Sequence, residues 1–306
     1  MEIYLIGLAV ALVGGLLMSR LTRLLHLPAV TAYLVAGLLL GPFFLGRLNV
    51  PGLGFNTLEE VNVLSIVSQT ALGFIAFAMG NEFRLSQLRT IGSRAIIIGI
   101  LQAVITTIVV DVILLLLHLF FPHIISVPCA ITLGAIAAAT APAATLMVVR
   151  QYKADGPMTR LLMLVVALDD AVGLLLFSVS FGIATALSNG QVSVLAVVVE
   201  PIVEILLSVG LGGFMGLLLH WVERFFHSRS KRMSLSVAFV MLTVGLSMLE
   251  FQIGPVHCGF SLLLVCMMTG TIFCNVCPTS EELMERVDGW TMPLNILFFV
   301  ISGAEL

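Results

Sequence analysis

Ten apolar runs of bilayer-spanning length follow one another along the 306-residue chain, near 3–19, 28–46, 60–83, 95–121, 127–149, 161–187, 194–223, 234–250, 257–276 and 292–306. Only 10% of the residues are charged and 59% are hydrophobic, where an ordinary soluble domain carries about a quarter charged. A soluble globular fold is excluded. No run calls for a β reading, so the expected fold class is an all-α polytopic membrane protein. Local signals separate the runs: Thr57 with Glu60 makes a capping box, Gly156-Pro157 stops one helix before the next, and Ser188-Asn189-Gly190 reads as a turn. The net charge of -3 is thinly spread and gives no surface for nucleic acid.

The basic residues give the orientation. Arg20 and Arg23 follow the first run, Arg84, Arg89 and Arg94 the third, Arg150, Lys153 and Arg160 the fifth. Arg224, Arg229, Lys231 and Arg232 follow the seventh, and Arg286 the ninth. Thus 13 of the 14 basic residues fall on one side and only Arg47 on the other, which makes that side cytoplasmic and puts the N-terminus outside a plasma or inner membrane. With no basic stretch before it, the first run reads as an uncleaved anchor.

An internal repeat is expected from Gly80-Asn-Glu82-Phe83, which closes the third run, and Gly303-Ala-Glu305-Leu306, which closes the tenth. The third run points inward and the tenth outward, the relation of an inverted repeat. On that relation helices four to six have counterparts beyond residue 306, so the chain reads as the front part of a longer transporter.

The chemistry lies where apolar runs break their own rules. An ionisable residue within a span costs about 2.5 to 3.5 kcal/mol on insertion scales, yet Asp169 and Asp170 stand side by side in the sixth run, roughly 14 Å from the cytoplasmic end. Their side chains leave a helix about 100° apart, so one can bind while the other is held. The fifth run contains Ala137-Ala-Ala-Thr140-Ala141-Pro142. Pro142 lacks an N–H and crowds the preceding turn, so the helix is expected to open there and free carbonyls at the depth of the aspartates. Thr140, Ala141 and Pro142 with Asp169 and Asp170 form a candidate cation and proton site.

These stretches, Gly134 to Thr145 and Ala167-Leu-Asp169-Asp170-Ala-Val-Gly173, resemble the monovalent cation/proton antiporters of the CPA2 branch. Tyr33-Leu-Val-Ala-Gly37-Leu-Leu-Leu-Gly41-Pro42 and Phe298-Phe-Val-Ile-Ser-Gly303 fit the same family. The resemblance implies 12 to 14 helices, a dimer domain, and a mobile core built from two crossing broken helices. It implies that Asp170 is the main carboxylate for cation and proton, that Asp169 partners a Lys from the second half, and that Thr140 lies at the unwound crossing. Some relatives carry an acidic residue where Ala141 stands.

The expected division is scaffold helices in 1–83, a core half in 84–190, a linker helix in 191–232 and scaffold helices of the second repeat in 233–306. The expected function is exchange of Na⁺ for H⁺ by alternating access in a lipid-embedded homodimer, with no cofactor beyond the transported ions; K⁺/H⁺ exchange and a non-transporting scaffold or sensor are the alternatives. Asp111 in the fourth run either lines an outer path or faces a polar neighbour. Glu200 and Glu204 share one helix face towards the outside, where they either attract cations or form a solvated end. His257, Glu82 and Glu305 read as interface or helix-end residues. The five cysteines read as packing residues, because Cys274-Asn-Val-Cys277 has no second pair or nearby His to complete a metal site.

Overall fold

Among the described residues the apolar runs are largely helical, with ends that follow local chemistry. The computed structural model describes residues 2–24, 27–48, 50, 54–189, 199–249, 251–253 and 256–306. The helices are α1 (Glu2–Leu24), α2 (Ala29–Leu40), α3 (Leu58–Val63), α4 (Ser65–Gly80), α5 (Leu85–Phe120), α6 (Val127–Ala137), α7 (Pro142–Gln151), α8 (Pro157–Asn189), α9 (Glu200–Glu223), α10 (Arg229–Ser247), α11 (Leu262–Val276) and α12 (Ser280–Ala304). Among the described residues six helices are long and apolar enough to cross a bilayer unaided, so the chain is a multi-span membrane protein. α3 with α4 fills the third run, and α6 with α7 the fifth.

The local signals act much as read. Thr57 caps α3 by accepting from Glu60 N at 3.3 Å, while Glu60 Oε2 accepts from Asn56 N at 2.8 Å. Gly156 takes φ 156°, which L side chains rarely adopt, and Pro157 opens α8.

Some boundaries differ from expectation. α12 begins at Ser280 rather than 292 and continues through Pro293, so Arg286 lies within a helix rather than a loop. Glu281 and Glu282 in its first turn suit the positive end of a helix, and a search for apolar runs passes over such a polar extension. α5 likewise starts at Leu85 rather than 95. The ninth crossing starts at Leu262 under a Ser261 cap, because Phe251–Ile253 and Val256–Cys258 form a small antiparallel hairpin just before it. Ser188 and Asn189 still belong to α8, and Gly190 lies outside the described residues.

α5, α6 and α8 pack on one another, whereas α1, α2 and α12 pack together and α11 packs on α4 and α9. Two glycine crossings stitch this second group. A Cβ on Gly80 of α4 would meet the backbone of Met267 and Thr271 in α11, and one on Gly270 would meet the Phe77 carbonyl. A Cβ on Gly303 of α12 would meet the Leu34 carbonyl of α2, and one on Gly37 would meet the Val300 carbonyl. Each Gly-x-Glu helix therefore lies backbone to backbone on a helix from the other repeat, the reciprocity that an inverted repeat generates.

The basic loops share one end of the bundle. Arg84 pairs with Glu281 at 3.1 Å, Arg150 with Asp288 at 2.8 Å, and Arg229 and Arg286 with Glu282 at 3.2 and 3.1 Å. These pairs join the segments after the third, fifth, seventh and ninth crossings, so the alternation counted from sequence is the alternation of the fold. Apolar side chains such as Ile97, Leu101, Ile105, Ile108 and Val112 of α5 stand exposed along its outer face, as a lipid-facing helix requires.

Candidate functional site

The break in the fifth crossing occurs where Pro142 predicts it. α6 ends at Ala137 and α7 starts with Pro142 as its first residue, where a missing N–H costs no intrahelical bond. Ala141 takes φ -100° and ψ 88°, off the helical path. α6 closes with short-range bonds from Ala138 N to Ala135 O and Ala139 N to Ile136 O, and the backbone and hydroxyl of Thr145 both donate to Ala141 O at 3.1 Å. Thr140 remains between the two half-helices with its hydroxyl oxygen buried.

Asp169 on α8 comes up against this break. It is fully buried, and the Thr140 hydroxyl adjoins its carboxylate. The third member comes from α5. With the Gln102 amide oriented so that its nitrogen faces the carboxylate, Nε2 lies 3.0 Å from both Asp169 oxygens; the opposite orientation sets oxygen against oxygen. Three elements thus converge: the half-helix junction, the α8 carboxylate and an α5 amide. Gln102 was missed by the sequence reading, although it is the one side-chain amide in the run 95–121 and a polar group there needs a partner.

Asp170 is the next residue of α8, and its side chain lies outside the described residues. Asp111 does not join Asp169. It stands nine residues beyond Gln102 on α5, about 14 Å along the axis. Its Oδ1 is buried without a hydrogen-bond partner, and its carboxylate occupies the space a Cβ on Gly134 of α6 would need. Glu204 sits half-buried on α9, a helix that packs mainly on α11. The side chains of His257 and Glu82 lie outside the described residues, and Glu305 is exposed at the C-terminal end of α12.

Towards the basic end, α1, α2, α7 and α12 enclose a cavity of about 700 Å³ lined in part by Ser19, Arg20, Tyr33, Arg150, Asp288 and Asn295. The Arg150–Asp288 pair spans it from α7 to α12, and Asn295 Oδ1 is buried there without a partner. The cavity runs beside α7, the half-helix on the basic side of the break.

The cysteines divide. Cys266 and Cys274 are buried, and Cys274 donates to Thr271 O at 3.2 Å, as packing residues do. Cys277 instead meets Glu223 of α9, with His220 of the same helix beside it.

Compared with known proteins, residues 8–306 match the family model described as sodium/hydrogen exchanger, transmembrane. The fold is similar to two structures of the sodium proton antiporter MjNhaP1 from Methanocaldococcus jannaschii. A structure at pH 8 gives a TM-score of 0.63 at 20% identity, over 98% of this chain and 69% of that one. An electron-microscopy structure gives 0.73 at 18% identity, over 98% and 68%. K(+) efflux antiporter 5 of Arabidopsis thaliana is 31% identical over 94 residues, a match that spans 31% of this chain and 14% of the plant protein.

Proposed function

Because the chain belongs to the sodium/hydrogen exchanger family, we propose that it exchanges a monovalent cation, Na⁺ in the first place, for H⁺ by alternating access. The observation that carries this reading is the buried Asp169 carboxylate set against the opened α6–α7 junction, with Gln102 on both of its oxygens. An exposed charge at this depth is expensive in lipid, so an aspartate pair there belongs to an ion path.

In this mechanism Asp170 carries the ion. A carboxylate taken out of water holds its proton more tightly, so proton and cation compete for the same oxygens near neutral pH. A neutralised carboxylate crosses cheaply and a bare one does not, which couples the two fluxes. Asp169, fixed by Gln102 and adjoining Thr140, keeps the α8 backbone in register with the junction so that Asp170 presents its oxygens to the path. Thr140 and the carbonyls beside Ala141 and Pro142 supply neutral ligands to a cation whose water has been stripped. Asp111 and Glu204 line the outer approach.

The moving part is the core half in 84–190, whose helices α5, α6 and α8 pack chiefly on one another. The scaffold comprises 1–83 and 233–306, with 191–232 as the link, and a homodimer forms through the scaffold in a plasma or inner membrane with the N-terminus outside. K⁺/H⁺ exchange is the second reading, favoured by the likeness to the plant K⁺ antiporter.

Dequenching of a pH dye in proteoliposomes holding the full-length protein, driven by Na⁺, K⁺ or Li⁺, tests the proposal. Shared-site competition by one proton lowers cation affinity about tenfold per pH unit on the acid side. Affinity independent of pH rejects a shared site, and absence of flux with every cation favours the scaffold reading.

A further inference from the structure

We propose that His220, Glu223 and Cys277 form a site for a zinc-class divalent cation at the basic end of the bundle, fastening the end of α9 to the turn between α11 and α12. A ring nitrogen of His220, a carboxylate oxygen of Glu223 and the Cys277 sulfur all lie within 4.8 Å of one another. Imidazole, carboxylate and thiolate together are the donor set of Zn²⁺ and its neighbours, and three protein ligands leave a fourth position for water. A pocket of about 320 Å³ over the cluster, bounded also by Arg224, Arg232 and Thr279, gives the ion a way in.

The polar groups are arranged as such a site needs. Glu223 is only 3% exposed and Cys277 only 5%. Glu223 Oε1 accepts from the Thr279 hydroxyl at 2.9 Å and faces Arg232 Nε at 3.5 Å, which fixes the carboxylate plane. Its Oε2 accepts from Cys277 Sγ at 2.8 Å, so a thiol proton sits between two prospective ligands. Burial, then the Glu223 carboxylate, push that thiol above its ordinary range, and the ion therefore displaces a proton instead of meeting a ready thiolate. His220 Nδ1 is buried without a hydrogen-bond partner.

Arg224 sets the condition for binding. Its Nη2 lies 2.8 Å from His220 Nε2, and because a guanidinium does not give up its proton, Nε2 is the acceptor and Nδ1 carries the imidazole proton. If the metal takes Nε2 it displaces Arg224 directly. If it takes Nδ1, the imidazole proton moves through solvent to Nε2, which then no longer accepts. Either way Arg224, an exposed residue, swings out and its charge leaves the site. Binding converts Cys277–SH to a metal thiolate and releases that one proton to water. The site is independent of the transport reading, since it lies at the basic end, away from the Asp169 level.

Titration of the purified, tag-free full-length protein with Co²⁺, whose thiolate charge-transfer absorption reports sulfur ligation, tests the site, followed by displacement with Zn²⁺. One equivalent per chain is expected in the wild type, with the band lost in Cys277→Ser and affinity about tenfold or more weaker in His220→Ala. Arg224→Ala is the diagnostic variant, because a bystander role leaves affinity unchanged while the proposal requires tighter binding. Zn²⁺ should also raise the melting temperature of the wild type and not that of Cys277→Ser. No band in the wild type, an undiminished band in Cys277→Ser, or unchanged or weaker binding in Arg224→Ala overturns the proposal.

Discussion

Gln102 on α5 places its side-chain nitrogen 3.0 Å from each carboxylate oxygen of Asp169 on α8, and the Thr140 hydroxyl of the opened α6–α7 junction adjoins the same carboxylate. A carboxylate bonded on both oxygens by one amide is held in a single plane. Under the proposed mechanism the two adjacent aspartates have separate roles, Asp169 positioned and Asp170 carrying the ion.

Removing Gln102 tests the first role. A hydrogen bond to a charged group contributes about 1.5–3 kcal/mol, so Gln102→Leu, which leaves the Asp169 carboxylate without its amide donor, should lower cation-driven proton flux at every pH. Gln102→Glu, which sets a second carboxylate against Asp169, should disrupt transport more severely. The measurement is cation-driven proton flux across a pH series, and an unchanged profile in Gln102→Leu contradicts a positioning role.

The glycine crossings should tolerate no side chain. Gly303→Val drives a branched side chain into the Leu34 carbonyl, and overpacking of this kind costs about 1–3 kcal/mol. Gly289 in the same helix has open space where a Cβ would stand, so Gly289→Ala should be neutral or gain about 0.5–1 kcal/mol. Melting temperatures of the two variants in detergent check the contrast. Equal melting points mean the crossing is looser than described.

The Arg150–Asp288 pair ties α7 to α12 across the cavity at the basic end. Both partners are about a third exposed, at 33% and 30%, so its stabilisation is modest, about 0.2–1 kcal/mol. If α7 moves with the core against a scaffold holding α12, Asp288→Asn should change turnover while shifting the melting temperature only slightly. Transport rates and thermal melts of the same preparation read both quantities. A large loss of stability with unchanged turnover makes the pair a structural clamp.

Orientation is tested by a single cysteine placed at Lys153 in a cysteine-free background. A membrane-impermeant thiol reagent should reach it in inverted vesicles and not in intact cells. Labelling from outside reverses the assigned topology.

Much of this arrangement was legible because membrane helices have strict rules and the chain breaks them in few places. Pro142 after Thr140-Ala141 marked the break, and Asp169-Asp170 in an apolar run marked the carboxylates, since both are costly without a reason. Gln102 carried a weaker signal, as a neutral amide in a span disturbs hydropathy little. The start of α12 at Ser280 was hidden because an acidic first turn stands in water and leaves no apolar pattern. Cys277 and Glu223 are 54 positions apart, and His220 reaches them only through the packing of α9 on α11, which spacing along the chain does not reveal.

The central claim, that one ion site at the aspartate pair serves both cation and proton, is met most directly by cation-driven proton flux in proteoliposomes of full-length Asp170→Asn and Asp169→Asn beside the wild type. Asn keeps the size of the side chain, costs less in lipid than a charge, and cannot titrate. Flux should vanish in Asp170→Asn while the protein still inserts, and should persist at a reduced level in Asp169→Asn, whose melting temperature falls because Gln102 loses its charged partner. Normal flux in Asp170→Asn, or complete loss confined to Asp169→Asn, contradicts the account.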